Sequence, residues 1–263
     1  MAEITSKDFF IDIEGSSLFV RKLTPVNTDF TKASVIFLHD SLGSAALWRK
    51  YPEIISLGSQ REVYVYERRG HGSSSPLETH VRNSRYLEYE ADLIPSILKE
   101  LSVKEAVLYG HSDGASIALI AAGKFPALIK GLIVEAPHIF VEDITIEGVQ
   151  RTVERKNETR IIDKLKKYHG EKAETTFRAW GETWLKPEYH SWNIESFLKN
   201  IASPVLVIQG EDDEYGTERQ MTGISGLSKG RVELRLLPKM GHNPHNESPS
   251  TVSRMALEFL KDL

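Results

Sequence analysis

The chain has 263 residues, of which 40% are hydrophobic and 27% charged, and this is ordinary composition for a globular protein that buries a sizeable core. A formal net charge of −4 gives no reason to expect nucleic acid or an anionic membrane surface as a partner. The lack of cysteine excludes disulfide bonds, a thiol nucleophile and a cysteine metal site. The first residues do not resemble a secretory signal, and no apolar stretch reaches the roughly 18 residues of a membrane helix, so a cytoplasmic protein is expected.

Apolar runs bounded by turn residues predict strands and helices in alternation along the chain. Strands are predicted at residues 9–13, 18–22, 34–38, 62–66, 104–109, 129–134, 204–208 and 232–237, the first two as a hairpin. Helices are predicted from about residue 45 and over residues 86–101, 115–125 and 251–263. The alternation predicts an α/β fold, a mostly parallel eight-stranded sheet with helices on both faces.

One long segment, residues 137–201, contains no convincing strand and is rich in charged, helix-prone sequence. We therefore expect a sheet domain in two parts, residues 1–136 and 202–263, with a helical cap formed by residues 137–201. The segment carries Trp180, Trp184 and Trp192, three of the four tryptophans. Packing between cap helices is the commoner role for such side chains, and lining an apolar substrate pocket is the alternative.

The most informative motif is the pentapeptide Gly-His-Ser-Asp-Gly at residues 110–114. It follows a predicted strand and precedes a predicted helix, which is the setting of a nucleophile elbow. Its glycines permit a turn tight enough to hold Ser112 in a strained backbone conformation with its hydroxyl exposed. The N-terminus of the following helix favours negative charge that develops nearby. Ser112 is therefore the predicted nucleophile.

A serine nucleophile needs a base to take its proton and a third group to orient that base. The next-to-last predicted strand is followed by the acidic residues 211–214, and the last strand is followed by His242 and His245. Parallel strands bring both loops to the same edge of the sheet as Ser112. Loop position alone leaves the choice among these acids and histidines open. A metal site on His242 and His245 is disfavoured, because no carboxylate-rich helix accompanies them.

With these motifs the chain resembles the α/β-hydrolase fold superfamily over essentially its whole length, in the capped esterase and epoxide-hydrolase-like branch. The matching segments are residues 38–41, 67–74, 110–114, 210–213 and 241–242. The family pattern places the acid three residues after a glycine and the base directly after one, which implies Asp213 and His242 as the partners of Ser112. A serine at the elbow argues against haloalkane dehalogenases and epoxide hydrolases, which use a carboxylate nucleophile.

The resemblance also implies an oxyanion hole formed by the backbone N–H groups of Ser41 and Asp113. Members usually carry His-Gly after the third strand, where this chain has His39-Asp40. The Asp40 side chain could shift the loop or place negative charge near the oxyanion, and the loss of one donor costs on the order of 10²–10³ in rate. The implied reaction is two-step acyl transfer to water, with neither a metal nor an organic cofactor.

The Ser-Asp-Gly sequence of the elbow is similar to that of valacyclovir-hydrolase-like enzymes, in which the aspartate holds the free amino group of an amino-acid ester. This similarity implies that Asp113 binds substrate. Glu135, at the end of the next strand, would add a second negative charge to the cleft, and such carboxylates pair well with an α-ammonium group. The alternative is that Asp113 only stabilises the N-terminus of the helix that begins there.

Two functions of other classes share this sequence pattern. Some members of the fold keep the triad yet act as small-molecule receptors, and others hydrolyse C–C bonds or transfer acyl groups to acceptors other than water. A receptor should expose an apolar patch on the cap, which the charged sequence 154–160 disfavours. The expected protein is a serine carboxylic-ester hydrolase for a small-molecule ester, without a nucleic-acid or membrane partner, as a monomer or homodimer.

Overall fold

The computed structural model describes residues 3–263 and contains one sheet. Its strands are β1 (Ile4–Ile13), β2 (Ser16–Pro25), β3 (Ser34–Leu38), β4 (Val63–Tyr66), β5 (Ala106–His111), β6 (Ile129–Glu135), β7 (Val205–Gly210) and β8 (Val232–Leu237). They lie in the order β1-β2-β4-β3-β5-β6-β7-β8. The β1–β2 and β2–β4 pairs are antiparallel, and the other pairs are parallel. The predicted mostly parallel, eight-stranded sheet is confirmed.

Helices cover both faces of this sheet. They are α1 (Tyr51–Ser59), α2 (Tyr86–Asp92), α3 (Ile94–Glu100), α4 (Asp113–Lys124), α5 (Asp143–Glu154), α6 (Lys156–Thr159), α7 (Ile161–His169), α8 (Ala173–Trp184), α9 (Glu195–Leu198), α10 (Glu218–Leu227), α11 (Pro244–Glu247) and α12 (Pro249–Lys261). Phe37 of β3 packs in one apolar core with α1 and α12, whereas its neighbour Ile36 packs in the other core with α2, α3 and α4. Successive strand residues point to opposite faces, so both cores are built from the same strands. No helix within residues 3–263 is long and apolar enough to cross a membrane.

The first hairpin is longer than the sequence predicts. Its strands pair without interruption from Ile4 opposite Pro25 to Ile13 opposite Ser16. The two-residue connection, Glu14 and Gly15, has φ values of 51° and 75°. Positive φ at both central residues is the turn geometry that matches the twist of hairpin strands. The paired strands therefore extend beyond residues 9–13 and 18–22, from which the sequence predicts the hairpin.

Two helix predictions need correction. The helix expected from about residue 45 begins at Tyr51, because residues 45–48 form a single tight turn and Arg49 has a φ of 54°. The helix expected over 86–101 is divided into α2 and α3 at Leu93. Pro95 causes this division, since it lacks the N–H that a continuous helix would donate to Ala91. Helix α10 was not predicted, and its two glycines weaken the helical signal.

Between β6 and β7 lies a segment that we call the helical insertion, residues 136–204, which contains α5 to α9. Within it the structure shows a single-residue bridge, Phe140 to Asn193, and no named strand. Val149, Ile161 and Trp180 of the insertion line a cavity that also contains Ser112. The insertion thus forms part of the wall around the predicted nucleophile. The domain boundaries at 136 and 201, and the description as a cap, stay predictions.

Candidate active site

Ser112 occupies a strained turn between β5 and α4. Its backbone angles are φ 53° and ψ −119°, a conformation that is costly for any residue with a side chain. The flanking glycines make the turn possible. A Cβ at Gly110 would overlap the backbone of Ala115, and one at Gly114 would overlap the carbonyl group of Leu38. The close packing of strand, turn and helix leaves Ser112 in the cavity wall, 7% exposed.

His242 lies beside Ser112 although 130 positions separate them in the chain. Its Nε2 atom is 3.0 Å from Ser112 Oγ, within hydrogen-bond distance. The loop after β8 carries His242. A contact with His111 holds this loop in place, since His111 Nε2 lies 2.8 Å from the His242 carbonyl oxygen. His111 belongs to the elbow itself. The elbow therefore supports the backbone of the histidine that faces its serine.

Asp213 continues this chain of hydrogen bonds. Its Oδ1 atom lies 2.9 Å from His242 Nδ1 and also accepts the Tyr215 backbone N–H at 2.9 Å. Its Oδ2 atom accepts a hydrogen bond from Gln209 Nε2 at 3.1 Å. Asp213 is buried, whereas Asp212 is exposed to solvent. The structure therefore brings together the three residues that the family pattern selects.

Neighbouring charges set the protonation of this pair. Burial raises the pKa of the Asp213 carboxyl, but the charge and hydrogen bond of His242 leave that pKa below its usual value. Burial lowers the pKa of the His242 imidazole, but Asp213, with further contributions from Glu214 and Asp40, leaves it above its usual value. His242 is consequently a stronger base than a free imidazole.

The two predicted oxyanion donors are Asp113, which follows Ser112 in the chain, and Ser41, which lines the same cavity as Ser112. Asp113 is also the first residue of α4. Within residues 3–263 neither backbone N–H donates a hydrogen bond to another part of the chain. The Ser41 carbonyl oxygen lies 2.9 Å from His71 Nε2, which fixes the loop after β3. Both N–H groups are therefore without a protein acceptor, and their role as oxyanion donors stays a prediction.

The Asp40 side chain adopts a defined position next to these donors. Its Oδ2 atom accepts the backbone N–H of Leu42 at 3.3 Å, and its Oδ1 atom lies 3.9 Å from His111 Nδ1. A Cβ at position 43 would overlap the Asp40 carboxylate and the Cβ of His39, so Gly43 leaves room for the carboxylate in this position. Asp40 is a wall residue of the cavity, and its side chain is 34% exposed. The loop thus accommodates the carboxylate by folding it back onto its own backbone.

The carboxylates of Asp113 and Glu135 do not lie in the cavity wall, which differs from the sequence expectation of two negative charges in the cleft. Asp113 is fully buried. Its Oδ2 atom accepts the Tyr86 hydroxyl at 2.7 Å and lies 3.7 Å from Arg68 Nη1. Sequence position predicts which edge of the sheet a residue reaches, but not whether its side chain turns toward the cleft or toward the core.

Glu135 is also fully buried and faces the loop that carries the histidines. Its Oε2 atom accepts the backbone N–H of His245 at 3.1 Å and lies 2.8 Å from His245 Nδ1. Its Oε1 atom accepts a hydrogen bond from the Tyr109 hydroxyl. Burial raises the pKa of the Glu135 carboxyl, but the charge of His245 leaves it below its usual value. Both oxygens of the Glu135 carboxylate therefore contact other residues of the protein, and the side chain does not face the cleft.

The cavity around Ser112 has a volume of about 170 Å³. Trp180 and Trp184 of the helical insertion form part of its wall, and Trp192 packs behind them with its ring 5.8 Å from that of Trp184. Both roles considered for the tryptophans therefore occur. Trp180 and Trp184 line the cavity, and Trp184 and Trp192 also pack against each other. Within residues 3–263 no group of three or more acidic or histidine side chains is arranged to hold a metal ion.

Two site residues carry roles that sequence analysis did not assign. Arg68 is buried and donates hydrogen bonds to the carbonyl oxygens of Asp40 and His39, at 2.7 and 3.2 Å, and so holds the loop after β3. It belongs to one of the matching segments, so a signal for it was present. His138 lines the cavity, and burial lowers its pKa. Its position just after β6 is the sequence feature that could have indicated it.

Comparison with known proteins identifies the family of the chain. Residues 35–255 match the alpha/beta hydrolase family. The chain belongs to this family. Within the family, a protein of Mycoplasma genitalium named as an esterase/lipase is 23% identical over 246 residues, covering 87% of this chain and 89% of its own. Serine hydrolase BPHL of Mus musculus is 26% identical over 215 residues, covering 80% of this chain and 73% of its own.

Solved structures show the same fold. The 2-hydroxy-6-oxo-6-phenylhexa-2,4-dienoate hydrolase of Rhodococcus sp. strain RHA1 matches with a TM-score of 0.78 at 16% identity, over 99% of this chain and 100% of its own. The predicted α/β-hydrolase fold is confirmed, as is the similarity to the valacyclovir-hydrolase-like enzymes, through BPHL. The family match and the relatives from Mycoplasma genitalium and Mus musculus support hydrolase activity for this chain.

Proposed function

We propose that this protein is a serine hydrolase that cleaves small carboxylic esters through Ser112, His242 and Asp213. The observation that supports this most directly is the pair of distances at His242, 3.0 Å from Nε2 to Ser112 Oγ and 2.9 Å from Nδ1 to Asp213 Oδ1. A strained, cavity-lining serine with an oriented base is what nucleophilic catalysis requires. The alternatives of a receptor or of a C–C hydrolase or acyltransferase are separated from it by the experiment below.

The reaction proceeds in two steps. His242 Nε2 takes the hydroxyl proton of Ser112 as Oγ attacks the ester carbonyl carbon, and Asp213 stabilises the imidazolium that forms. The N–H groups of Ser41 and Asp113 bind the oxyanion of the tetrahedral intermediate. His242 gives its proton to the alcohol oxygen as the C–O bond breaks, which leaves an acyl group on Ser112. His242 then takes a proton from water as the water oxygen attacks the acyl carbon. It returns that proton to Ser112 Oγ as the acyl–Oγ bond breaks, which releases the carboxylic acid.

Turnover of p-nitrophenyl esters of increasing acyl length tests this proposal. The wild-type protein should cleave short esters with many turnovers. The Ser112→Ala variant should lose on the order of 10³ or more in kcat, because the triad acts as a unit. Ser225→Ala on the exposed surface of α10 is the matched control and should keep the wild-type rate.

The same measurement separates the alternatives. A Ser112→Ala variant that is folded, by circular dichroism, and keeps more than about a tenth of the rate would contradict the triad, given the expected loss. No turnover on any ester would favour a receptor or a specialised lyase. Among the described residues of the helical insertion, Tyr168 is the one exposed large apolar side chain, so a broad apolar docking patch for a receptor partner is not seen there.

Recognition of an α-ammonium group by Asp113 is a narrower proposal. The Asp113 carboxylate contacts Tyr86 and Arg68 through Oδ2, whereas its buried Oδ1 atom has no hydrogen-bond partner and is the atom that an ammonium group would contact. Esters of free amino acids should then be cleaved faster than their N-acetylated counterparts, and Asp113→Asn should remove the preference. Equal rates for both esters in the wild type would leave Asp113 with the role of holding α2 and α4 together. A cytoplasmic location and a monomeric or homodimeric state are likewise proposed.

A further inference from the structure

The Asp40–Ser41 peptide carries one of the two predicted oxyanion donors, and a buried arginine binds its carbonyl oxygen. The Asp40 carbonyl oxygen accepts a hydrogen bond from Arg68 Nη2 at 2.7 Å and lies 2.7 Å from His39 Nδ1. Within residues 3–263 no peptide bond is cis. In a planar trans peptide the N–H points away from the C=O, so the contacts that fix the Asp40 carbonyl also fix the direction of the Ser41 N–H.

His39 takes part in this contact as a neutral imidazole. Its Nε2 atom accepts the Arg68 backbone N–H at 3.0 Å, so its Nδ1 atom carries the proton that is donated to the Asp40 carbonyl. Burial lowers the pKa of His39 well below its usual value, and the charge of Arg68 lowers it further. The backbone N–H of Arg68 is present whatever the side chain is, so a substitution at this position removes the contacts of the guanidinium and keeps the partner of His39.

The same guanidinium lies beside the residue that carries the second predicted donor. Arg68 Nη1 is 3.7 Å from Oδ2 of Asp113, and the backbone N–H of Asp113 directly follows Ser112 in the chain. Arg68 is 1% exposed and Asp113 is fully buried, so solvent screens the attraction between their charges only weakly. Arg68 therefore links the loop that carries Ser41 to the first residue of α4.

Arg68 also places a positive charge next to these two peptides. Burial lowers the pKa of its guanidinium, but the charges of Asp113 and Glu90 leave that pKa above its usual value, so Arg68 is protonated. A charged donor polarises the amide whose carbonyl it binds, which strengthens the N–H of that amide as a donor. The charge of Arg68 also offsets that of the Asp113 carboxylate. Both effects favour negative charge on an oxyanion.

We propose that Arg68 is a positioning residue of the predicted oxyanion hole, which orients the Ser41 N–H through the Asp40 carbonyl and holds Asp113 at the start of α4. Arg68 is not among the residues that line the cavity around the nucleophile, so it acts through these groups and does not touch a substrate. This inference rests on the proposed ester hydrolase function and adds to it a residue that lowers the barrier to the tetrahedral intermediate. An interaction made only in the transition state changes kcat and kcat/KM equally.

Steady-state kinetics on a short p-nitrophenyl ester tests this role. Arg68→Met should lower kcat by about 10- to 100-fold, less than the loss of an entire oxyanion donor, because both N–H groups stay in the chain but lose their orientation. KM should stay near the wild-type value. Arg68→Lys keeps the charge beside Asp113 but not the planar fork that binds the carbonyl, and it should lower kcat by a smaller factor, again with unchanged KM. It is the variant that decides the test if Arg68→Met does not fold.

Arg61 offers a matched control, because it precedes β4 whereas Arg68 follows the same strand. Arg61 is also 1% exposed, and its guanidinium also binds two carbonyl oxygens, those of Ala33 and Leu260, at 2.8 and 3.0 Å. Arg61→Met and Arg61→Lys should lower the free energy of unfolding and keep the wild-type kcat. The proposal is overturned by a wild-type kcat in folded Arg68 variants, by a rise in KM without loss of kcat, or by an equal loss of kcat in the Arg61 variants.

Inhibition by a short alkylboronic acid is a measurement that a purely structural role would not change. Such an acid forms a negatively charged tetrahedral adduct with a serine oxygen, and this adduct resembles the tetrahedral intermediate. Its inhibition constant should rise in Arg68→Met by about the factor by which kcat falls, since both depend on the same donors. The inhibition constant of Arg61→Met should match the wild type. An unchanged inhibition constant in a folded Arg68→Met variant would contradict the proposal.

Spectra with the same boronic acid keep this inference separable from the proposed function. In assigned ¹H–¹⁵N spectra of the wild-type protein, saturating boronic acid should shift the backbone N–H signals of Ser41 and Asp113, and the Ser41 shift should be smaller in Arg68→Met. This pattern in a protein that cleaves no ester would contradict the hydrolase proposal alone. Equal Ser41 shifts in the two proteins, or no shift of Ser41 in the wild type, would contradict the role of Arg68.

Discussion

The loop after β8 carries two histidines, and each is paired with a carboxylate from another part of the chain. His242 contacts Asp213 at the end of β7, and His245 contacts Glu135 at the end of β6, through Nδ1 at 2.9 and 2.8 Å. The remaining nitrogen of each ring faces a different group. His242 Nε2 faces the Ser112 hydroxyl in the cavity, whereas His245 Nε2 faces the side-chain amide of Asn246.

A histidine held by a carboxylate is therefore not sufficient to indicate a catalytic base. The side chain of His242 is 11% exposed and that of His245 is 4% exposed. The His242–Asp213 pair therefore borders the cavity, whereas the His245–Glu135 pair is more deeply buried. Glu135 also accepts the Ser112 backbone N–H through its carbonyl oxygen, at 2.9 Å. The second pair joins the elbow to the histidine loop, and its expected role is to hold the first pair in register.

The largest contrast is expected between the two histidines. His242→Ala should lower kcat on a short p-nitrophenyl ester by on the order of 10³–10⁶, because it removes the base. His245→Ala should cost less than about tenfold in kcat, since it removes a supporting contact and not a reacting group. Steady-state kinetics on both folded variants measures the contrast. The reverse order would make His245 the base.

A second contrast separates the acids of the loop after β7. Asp213→Asn should reduce kcat by on the order of 10⁴, because an amide favours the wrong tautomer of His242. Asp212→Asn is the matched control in the same loop and should stay near the wild-type rate, since Asp212 is exposed. Equal losses in the two variants would show that the loop presents both acids to His242.

The second pair should affect stability more than rate. Glu135→Gln removes the charge that faces His245, and we expect the free energy of unfolding to fall by about 1–3 kcal/mol while kcat falls less than tenfold. Urea denaturation measures the first effect. Glu105→Gln, which breaks a half-exposed pair with Lys130, is the control and should change stability by less than about 0.5 kcal/mol. A large loss of kcat with unchanged stability would place Glu135 in the reaction.

The smallest expected effect concerns pH. Activity should rise with pH as His242 loses its proton, and because the pKa of His242 is raised, the rise should be centred above the ordinary histidine value of about 6.5. Glu214 is one cause of that raised pKa, so Glu214→Gln should move the acid limb of the kcat/KM profile to lower pH, by less than about half a unit for an exposed charge. Glu218→Gln on α10 should leave the profile in place. A shift to higher pH in Glu214→Gln would reverse the assigned sign.

Much of the sheet and of the arrangement of the triad could be predicted from local sequence. The strands β3 and β8 begin and end where the apolar runs predict, and each candidate residue of the triad follows its own strand in the expected order. Parallel strands end at a common edge, so the meeting of Ser112, Asp213 and His242 followed from topology. The choice between Asp213 and its acidic neighbours needed the family pattern. In the structure only Asp213 of the two adjacent aspartates is buried against the imidazole.

The direction of the buried carboxylates depended on contacts between distant parts of the chain. Glu135 turns to a histidine 110 positions away, and Asp113 turns to a tyrosine 27 positions before it. Glu135 is the last residue of β6 and Asp113 the first of α4, so periodicity assigns each side chain to a face of its element. The groups that meet it on that face come from distant loops and helices, which periodicity does not predict. The edge of the sheet could therefore be predicted from residue order, whereas the cavity and the second histidine–carboxylate pair arise from packing that brings separate loops together.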